Sequence, residues 1–366
     1  MPISRSFKFE VKRKINTTLN VLKSLYFWQW QKESFLANEA GTSKINFWGK
    51  PSNLPLVKSL MGITNDLKVA NAEIKCEVLI TDFPLPQSIR IPATLATIVQ
   101  LNRSVDDILA TYSRSLRRSI NGQRAKYRCE TIKDIDQVAN TEANMLKPYA
   151  NARHDNAHHL GLETITNLAT SAFGRLDLLY LNDEAVGCHL GNSYERNGKN
   201  YWHVNRFGYP ENIYSDYKHW GDVNSMNLHL ALEAAIKEGY DFIDYGGSLA
   251  RPGAGLIEWK RRRKGFLAED YGQYLYLRLP KSGSDQLFWD SPLFAIEDQK
   301  ITLHLGVPQD KTDEEVMAKY HEMGYGGLYK VYLHCSKTLN ESLVQSVREL
   351  YEDQETQPMI ITYMDS

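Results

Sequence analysis

Cysteine is scarce in this 366-residue chain: Cys76, Cys129, Cys188 and Cys335 are the whole supply, far apart and without a C-x-x-C pair. This excludes a disulfide-stapled scaffold and a cysteine zinc site, and fits a reducing compartment where cysteine serves as a small core residue. An excess of charge is missing too. Lys and Arg number 43 against 44 Asp and Glu, for a net charge of −1. That excludes the general basicity with which a protein coats a nucleic acid, so any phosphate is held locally. No apolar run approaches the ~20 residues that span a bilayer, and the N-terminus has no short apolar core of the secretory kind. The chain is expected to be cytoplasmic and without a transmembrane segment. No short-period repeat is present.

What the chain does have is material for a core. Apolar residues make up 42% and aromatics 11%, with 21 Tyr and 7 Trp, so the sequence reads as folded, and its length divides into about two or three domains. The charge is unevenly spread: residues 1–50 carry nine Lys and Arg against three Asp and Glu, and residues 341–366 carry one against six. The basic front is also aromatic from Phe7 to Trp30, a composition suited to peripheral contact with an anionic membrane.

Residues 74–80 and 93–101 read as strands on either side of Pro84 and Pro86. Ser104 and Asp107 form an S-x-x-D cap ahead of Val105, Ile108, Leu109, Tyr112, Leu116 and Ile120 at helical spacing, up to Asn121-Gly122. Arg114, Arg117 and Arg118 are neighbours on the other face, and Arg124, Lys126 and Arg128 prolong the patch. A new unit opens with a strand at 127–132, a helix at 134–149 interrupted near Pro148, and a helix at 161–173. Strands at 175–181, 185–193 and 201–207 follow, joined by Asn182-Asp183-Glu184 and Arg196-Asn197-Gly198-Lys199, as an antiparallel meander. Beyond a loop at 210–221, Leu228, Ala231, Leu232, Ala235 and Ile236 line one face of a helix at 223–238. A strand at 241–245, a glycine-rich loop at 246–255, a basic helix at 256–264 and a strand at 268–279 complete this unit. Past a turn-rich linker at 281–292, strand, helix, strand, helix and strand alternate at 301–306, 313–323, 328–334, 340–352 and 359–363, which predicts a small parallel sheet.

Three blocks stand out in this order of elements. They are Leu178-Leu179-Tyr180-Leu181-Asn182-Asp183-Glu184-Ala185-Val186-Gly187, then Ala234-Ala235-Ile236-Lys237-Glu238-Gly239-Tyr240-Asp241-Phe242-Ile243-Asp244-Tyr245-Gly246-Gly247, then Gly255-Leu256-Ile257-Glu258-Trp259-Lys260 with Gly265-Phe266. With them the chain resembles the GNAT acyltransferase fold, in the divergent branch of the Fem-type aminoacyltransferases and FemAB-like proteins. Asp244-Tyr245-Gly246 followed by Trp259-Lys260 and Gly265-Phe266 is similar to that family's "Asp-aromatic-Gly" strand end and later "aromatic-Lys…Gly-Phe". The resemblance covers about residues 60–280. It implies an α/β (α+β) fold of tandem GNAT-like mixed sheets flanked by helices, with a small C-terminal α/β appendage. The expected division is 1–125 as an N-terminal GNAT-like unit with the basic segment, 126–280 as the acyltransferase domain and 281–366 as a βαβαβ appendage. One departure is plain: the acetyl-CoA pyrophosphate signature of mainstream GNATs, R/Q-x-x-G-x-G/A, is absent between 210 and 224.

Lys260 opens five consecutive cations ending at Lys264, a run that reads as a solvated face or as a cluster relieved by a polyanion. The resemblance implies that Lys260, beside Trp259, neutralises a donor phosphate or the carbonyl oxyanion of acyl transfer. Arg251-Pro252-Gly253-Ala254-Gly255 reads as a flexible turn or, with Gly246, Gly247, Trp259 and Arg261, as a donor cradle of backbone N–H groups and cations. Asp244 and Tyr245 face opposite sides of their strand. Tyr245 is a candidate acid for the leaving group and Asp244 a candidate to orient the amine, against readings as a core tyrosine and a capping aspartate. His203 shares a strand face with Asn205 and Phe207, and is a candidate general base or a structural hydrogen bonder. Arg114, Arg117, Arg118, Asn205 and Arg206 are candidate acceptor contacts, or in the arginines' case a solvated helix face. His154, Asp155, His158 and His159 invite a metal, but no carboxylate or cysteine motif supports one and none is expected. Cys188 reads as a packed thiol and not a nucleophile.

These residues predict an N-acyltransferase. An amine of a small molecule, sugar or peptide attacks the acyl carbonyl of acyl-CoA or aminoacyl-tRNA directly. Both donors are co-substrates and not tightly bound cofactors, and of a tRNA only the acceptor end is engaged, with no extended nucleic-acid contact. The alternative is a non-catalytic GNAT-like binding or scaffold protein.

Overall fold

The computed structural model describes residues 15, 18–19, 31–37, 43–63, 74, 76–154, 160–270, 272–280, 282–351 and 357–364. Most of the basic aromatic stretch at 7–30, together with Asp155, His158 and His159, lies outside the described residues.

The strands are β1 (Gln31–Leu36), β2 (Ser43–Gly49), β3 (Cys76–Thr81), β4 (Ser88–Pro92), β5 (Thr94–Gln100), β6 (Tyr127–Ile132), β7 (Gly174–Leu181), β8 (Glu184–Arg196), β9 (Lys199–Gly208), β10 (Phe242–Leu249), β11 (Phe266–Glu269), β12 (Tyr274–Arg278), β13 (Leu293–Glu297), β14 (Lys300–Val307), β15 (Leu328–Cys335) and β16 (Met359–Met364). They form a nine-stranded sheet, β1-β2-β3-β12-β4-β13-β14-β15-β16, and a seven-stranded sheet, β11-β5-β10-β9-β8-β7-β6. Both sheets are mixed and flanked by helices, the α/β class expected from the sequence.

The sheets are not divided at residues 125 and 280. β4 and β5 are separated by Ala93 alone yet belong to different sheets, and β11 and β12, separated by four residues, likewise lie in different sheets. The stretch read as one strand at 268–279 is therefore two, because its halves find partners in different sheets. Beyond 280 the alternation forms as expected, with β14, β15 and β16 parallel. The stretch read as a linker holds the helix Ser284–Asp290, and β13 hydrogen-bonds this part of the chain to β4 through Ile296 and Arg90.

Helix boundaries follow caps more closely than periodicity. Ser104 and Asp107 make their capping box, but the expected single helix is two, Val105–Ala110 and Arg114–Gln123, the second capped by the Ser113 hydroxyl. The break expected near Pro148 is a π turn at Glu142–Leu146. The long helix is Tyr217–Lys237, and it begins inside the stretch read as a loop because the Asp216 carboxylate accepts the Lys218 and His219 N–H groups.

Trp202, Val204, Ile243 and Tyr245 pack with Leu228, Ala231, Leu232 and Ala235 of that helix. His203 and Asp244, alternating with them, point to the opposite face. There, Leu176, Leu178, Cys188 and Leu190 near β6 are covered by Val138, Met145, Leu146, Ile165 and Ala169.

Candidate active site

β9 and β10 run parallel for three pairs only: Tyr201 with Phe242, Trp202 with Ile243 and His203 with Asp244. Each strand then bulges. Val204 and Arg206 pair with Gly191 and Leu190 of β8, leaving Asn205 as an extra residue. Asp244 and Gly247 pair with Ile98 and Ala96 of β5, so here too one strand has a residue more than its partner. A bulge bends and twists its strand, and two at one level end the shared ladder.

At that point of parting, Asp244 Oδ2 lies 3.1 Å from His203 Nδ1 and accepts the Tyr194 hydroxyl at 2.9 Å. Its Oδ1 accepts the Gly246 N–H at 2.8 Å. The Asp244 side chain is 9% exposed and that of His203 27%, so a dry carboxylate supports a ring that reaches solvent. Burial alone would push the Asp244 carboxyl up, but the His203 ring, the Gly246 N–H and the Tyr194 hydroxyl together outweigh it and hold the carboxyl below its usual range. An ionised carboxylate only accepts, so the His203 Nδ1–H is the donor to it and Nε2 is the ring nitrogen turned away from Asp244.

Lys260, on the helix Gly255–Arg261, is 3% exposed. Its Nζ donates to the bulge carbonyls of Gly246 at 2.7 Å and Gly247 at 3.2 Å. Burial brings its ammonium down to about 8, against the pull of the Asp244 and Asp270 charges. Asp270 follows β11, and its Oδ2 accepts the Thr94 hydroxyl at 2.7 Å. A Cβ added to Gly247 would stand 2.6 Å from that same oxygen, so the carboxylate lies against the Gly247 backbone. Although Asp270 is exposed as a residue, loss of solvation around its carboxyl, together with the Asp244 charge, raises its pKa.

Among the residues singled out from the sequence, Lys260, Asp244, His203, Gly246 and Gly247 come together here. Tyr245 is on the other face, buried beside Tyr112 and Arg263, with its hydroxyl outside any well-formed hydrogen bond. Trp259 lies beneath the Arg263 guanidinium, 3.7 Å from ring centre to cation. Arg251 and the turn after it face the first sheet. Arg251 Nη1 donates to Ser59 O at 3.0 Å and the Gly253 N–H donates to the Tyr325 hydroxyl at 2.9 Å. Tyr325 in turn donates to Glu258, which also accepts Arg261 Nε at 2.7 Å. Gly255 is exposed at the start of its helix. Arg117 donates to Ala110 O at 3.2 Å, and Arg114 and Arg118 are exposed on a helix whose Ile120 packs on the Tyr245 face of the sheet. Asn205 donates to Asn192 Oδ1 at 3.3 Å, and Arg206 donates to Asn205 O at 2.8 Å.

Two residues of the site, Tyr194 and Asp270, were not singled out from the sequence. Tyr194 was within reach: the Asn197-Gly198 turn fixes the pair Arg196–Lys199, which sets Tyr194 opposite Tyr201 and next to His203. Arg263, three residues after Lys260, belongs instead to the Tyr245 face. It is buried, and donates to Trp259 O at 3.0 Å and Ser225 Oγ at 2.9 Å. For Asp270 the sequence carries no signal, since only the folding of β11 onto β5 brings it to Thr94.

No family model matches the chain, and no curated protein matches it by sequence. Solved structures do resemble it. The crystal structure of FemX is 11% identical with a TM-score of 0.38, over 69% of this chain and 89% of that one. The structure of L-PGS from Bacillus licheniformis is 14% identical with a TM-score of 0.36, over 68% and 84%. A GCN5-related N-acetyltransferase from Sphaerobacter thermophilus is 13% identical with a TM-score of 0.31, over 68% and 75%.

Proposed function

We propose that the protein is an N-acyltransferase with His203 as general base and Asp244 as the group that orients it. The observation that carries this reading is the 3.1 Å contact between His203 Nδ1 and a buried, ionised Asp244 where β9 and β10 part. The donor is an acyl-CoA or an aminoacyl-tRNA, and the acceptor is an amine of a small molecule, sugar or peptide. The amine nitrogen forms a bond to the acyl carbon while the carbonyl π pair moves to oxygen. His203 Nε2 takes the proton that the nitrogen must lose. Collapse of the adduct breaks the bond to the thiolate of CoA or the ribose oxygen of tRNA, and the proton passes from His203 to that leaving group. Lys260 is given two tasks. It fastens the bulge carbonyls, which keeps the Gly246 N–H on Asp244, and its charge favours the carbonyl oxygen as that becomes negative.

Arg251 and the Gly253 N–H are engaged with Ser59 and Tyr325, so the donor phosphate is assigned to the exposed Arg262 and not to a cradle in that turn. The test is a panel of acyl-CoAs and charged tRNAs with mixed amine acceptors, followed by His203→Gln with the active pair. A loss of kcat of about 10²-fold or more at unchanged melting temperature is expected. Unchanged turnover removes His203 from the chemistry, and a wild-type protein that turns over no member of the panel is a binding module.

A further inference from the structure

Asp244 Oδ2 is shared by two donors, the His203 Nδ1–H and the Tyr194 hydroxyl. The tyrosine is held there by a row of rings running across three strands. Tyr194 stacks on Tyr201 with centres 4.9 Å apart and planes 8° from parallel, and Tyr201 stacks on Phe242 at 4.8 Å and 15°. The neighbouring row along the same three strands is Asn192, His203 and Asp244. Since the stack fixes the ring, the hydroxyl meets the carboxylate without ordering a flexible side chain.

A carboxylate stabilises an imidazolium through the negative charge on the oxygen that faces it. A second donor on that oxygen draws part of this charge away. We infer that Tyr194 is a positioning residue which, through its hydroxyl on Asp244, holds down the basicity of His203. The inference rests on the reading of His203 as the base, but its physical content concerns the free protein. Other charged and titratable groups face the array. Lys260 and Asp270 lie beside Asp244, and Arg196, Lys199, Tyr201 and Asp241 surround the Tyr194–Tyr201 stack. Lys260 donates to the Gly246 and Gly247 carbonyls.

The test is an NMR titration of the imidazole Cε1–H signals of the full chain, with the His203 signal assigned through His203→Gln. Tyr194→Phe keeps the ring on Tyr201 and removes only the donor. It is expected to raise the His203 midpoint by roughly half a pH unit or more, and to move the acid limb of the activity profile by the same amount. Replacing Tyr194 with 3-fluorotyrosine, a stronger donor, is expected to lower the midpoint, a change that lost packing does not produce. Tyr201→Phe, at the centre of the stack but off the carboxylate, leaves it in place. Coincident midpoints for wild type, Tyr194→Phe and the fluorotyrosine protein overturn the inference. If instead the midpoints move and His203→Gln retains full turnover, the link from Tyr194 stands and the general-base reading falls.

Discussion

Lys260 and Arg263 belong to a run of five cations, and the fold treats them differently from the other three. Both are buried, while Arg261 sits on Glu258 and Arg262 faces solvent. The sequence shows the run and the three-residue spacing. It does not show that the helix ends at Arg261, nor that two bulge carbonyls wait for the ammonium. A buried lysine leaves a mark on stability. Its folded value of about 8 lies below the ordinary 10.5, so between those pH values the unfolded chain holds a proton that the folded chain has released. Stability therefore gains with rising pH from about 8 to 10.5, by about 3 kcal/mol from this group, and below pH 8 the full penalty is present. Lys260→Met is expected to abolish that gain, as read from urea unfolding at pH 8 and pH 10. Its stability at pH 7 reflects a second effect, the loss of a donor by Gly246 O and Gly247 O, which costs about 1–3 kcal/mol. The slope with pH, and not the value at pH 7, is the diagnostic.

Among the elements, the meander β7-β8-β9 was the most legible. Asn182 and Asp183 have φ of 49° and 68°, and Asn197 and Gly198 have 53° and 71°, as two-residue hairpin turns require. What alternation could not show is where a strand takes in an extra residue, because a bulge is set by its partners. β10 illustrates this: its second half, 246–249, read as a glycine-rich loop, yet Gly247, Ser248 and Leu249 pair with Ala96, Leu95 and Thr94. Gly246 is the hinge of that bulge, with φ of +75° and nothing nearer than 3.5 Å to an added Cβ. There is room for a side chain, so the cost of one is conformational. Gly246→Ala is expected to lose about 1–2 kcal/mol, and Gly246→Asn, which tolerates a positive φ, less than that. Both would be measured by urea unfolding at pH 7. Equal losses would mean that crowding of His203, and not the backbone, sets the cost.

At the scale of the whole molecule, the alternation beyond 280 suggested a small α/β appendage with a parallel sheet, and its elements are there. Periodicity reports which face of a strand is apolar, but not which other part of the chain covers it. Leu293, Phe294, Leu303, Leu305, Val331 and Leu333 share one core with Ile45, Phe47, Val78 and Ile80 and with Leu275 and Leu277. Tyr325 joins that core to the helix of Lys260 through Gly253 and Glu258, and the Leu267 N–H of β11 donates to Gly326 O at 2.9 Å. Removing residues 281–366 would strip those six side chains from the core. At about 1.5–3 kcal/mol each, the loss is comparable with or larger than the ~5–15 kcal/mol that holds a domain folded. A chain ending at residue 280 is therefore expected to show no cooperative thermal transition and to elute as aggregate in gel filtration, while the full chain unfolds with the two sheets coupled. A monomeric 1–280 chain with a sharp transition would show instead that the first sheet closes its core without β13 to β16, and that the contact through Tyr325 is an accessory one.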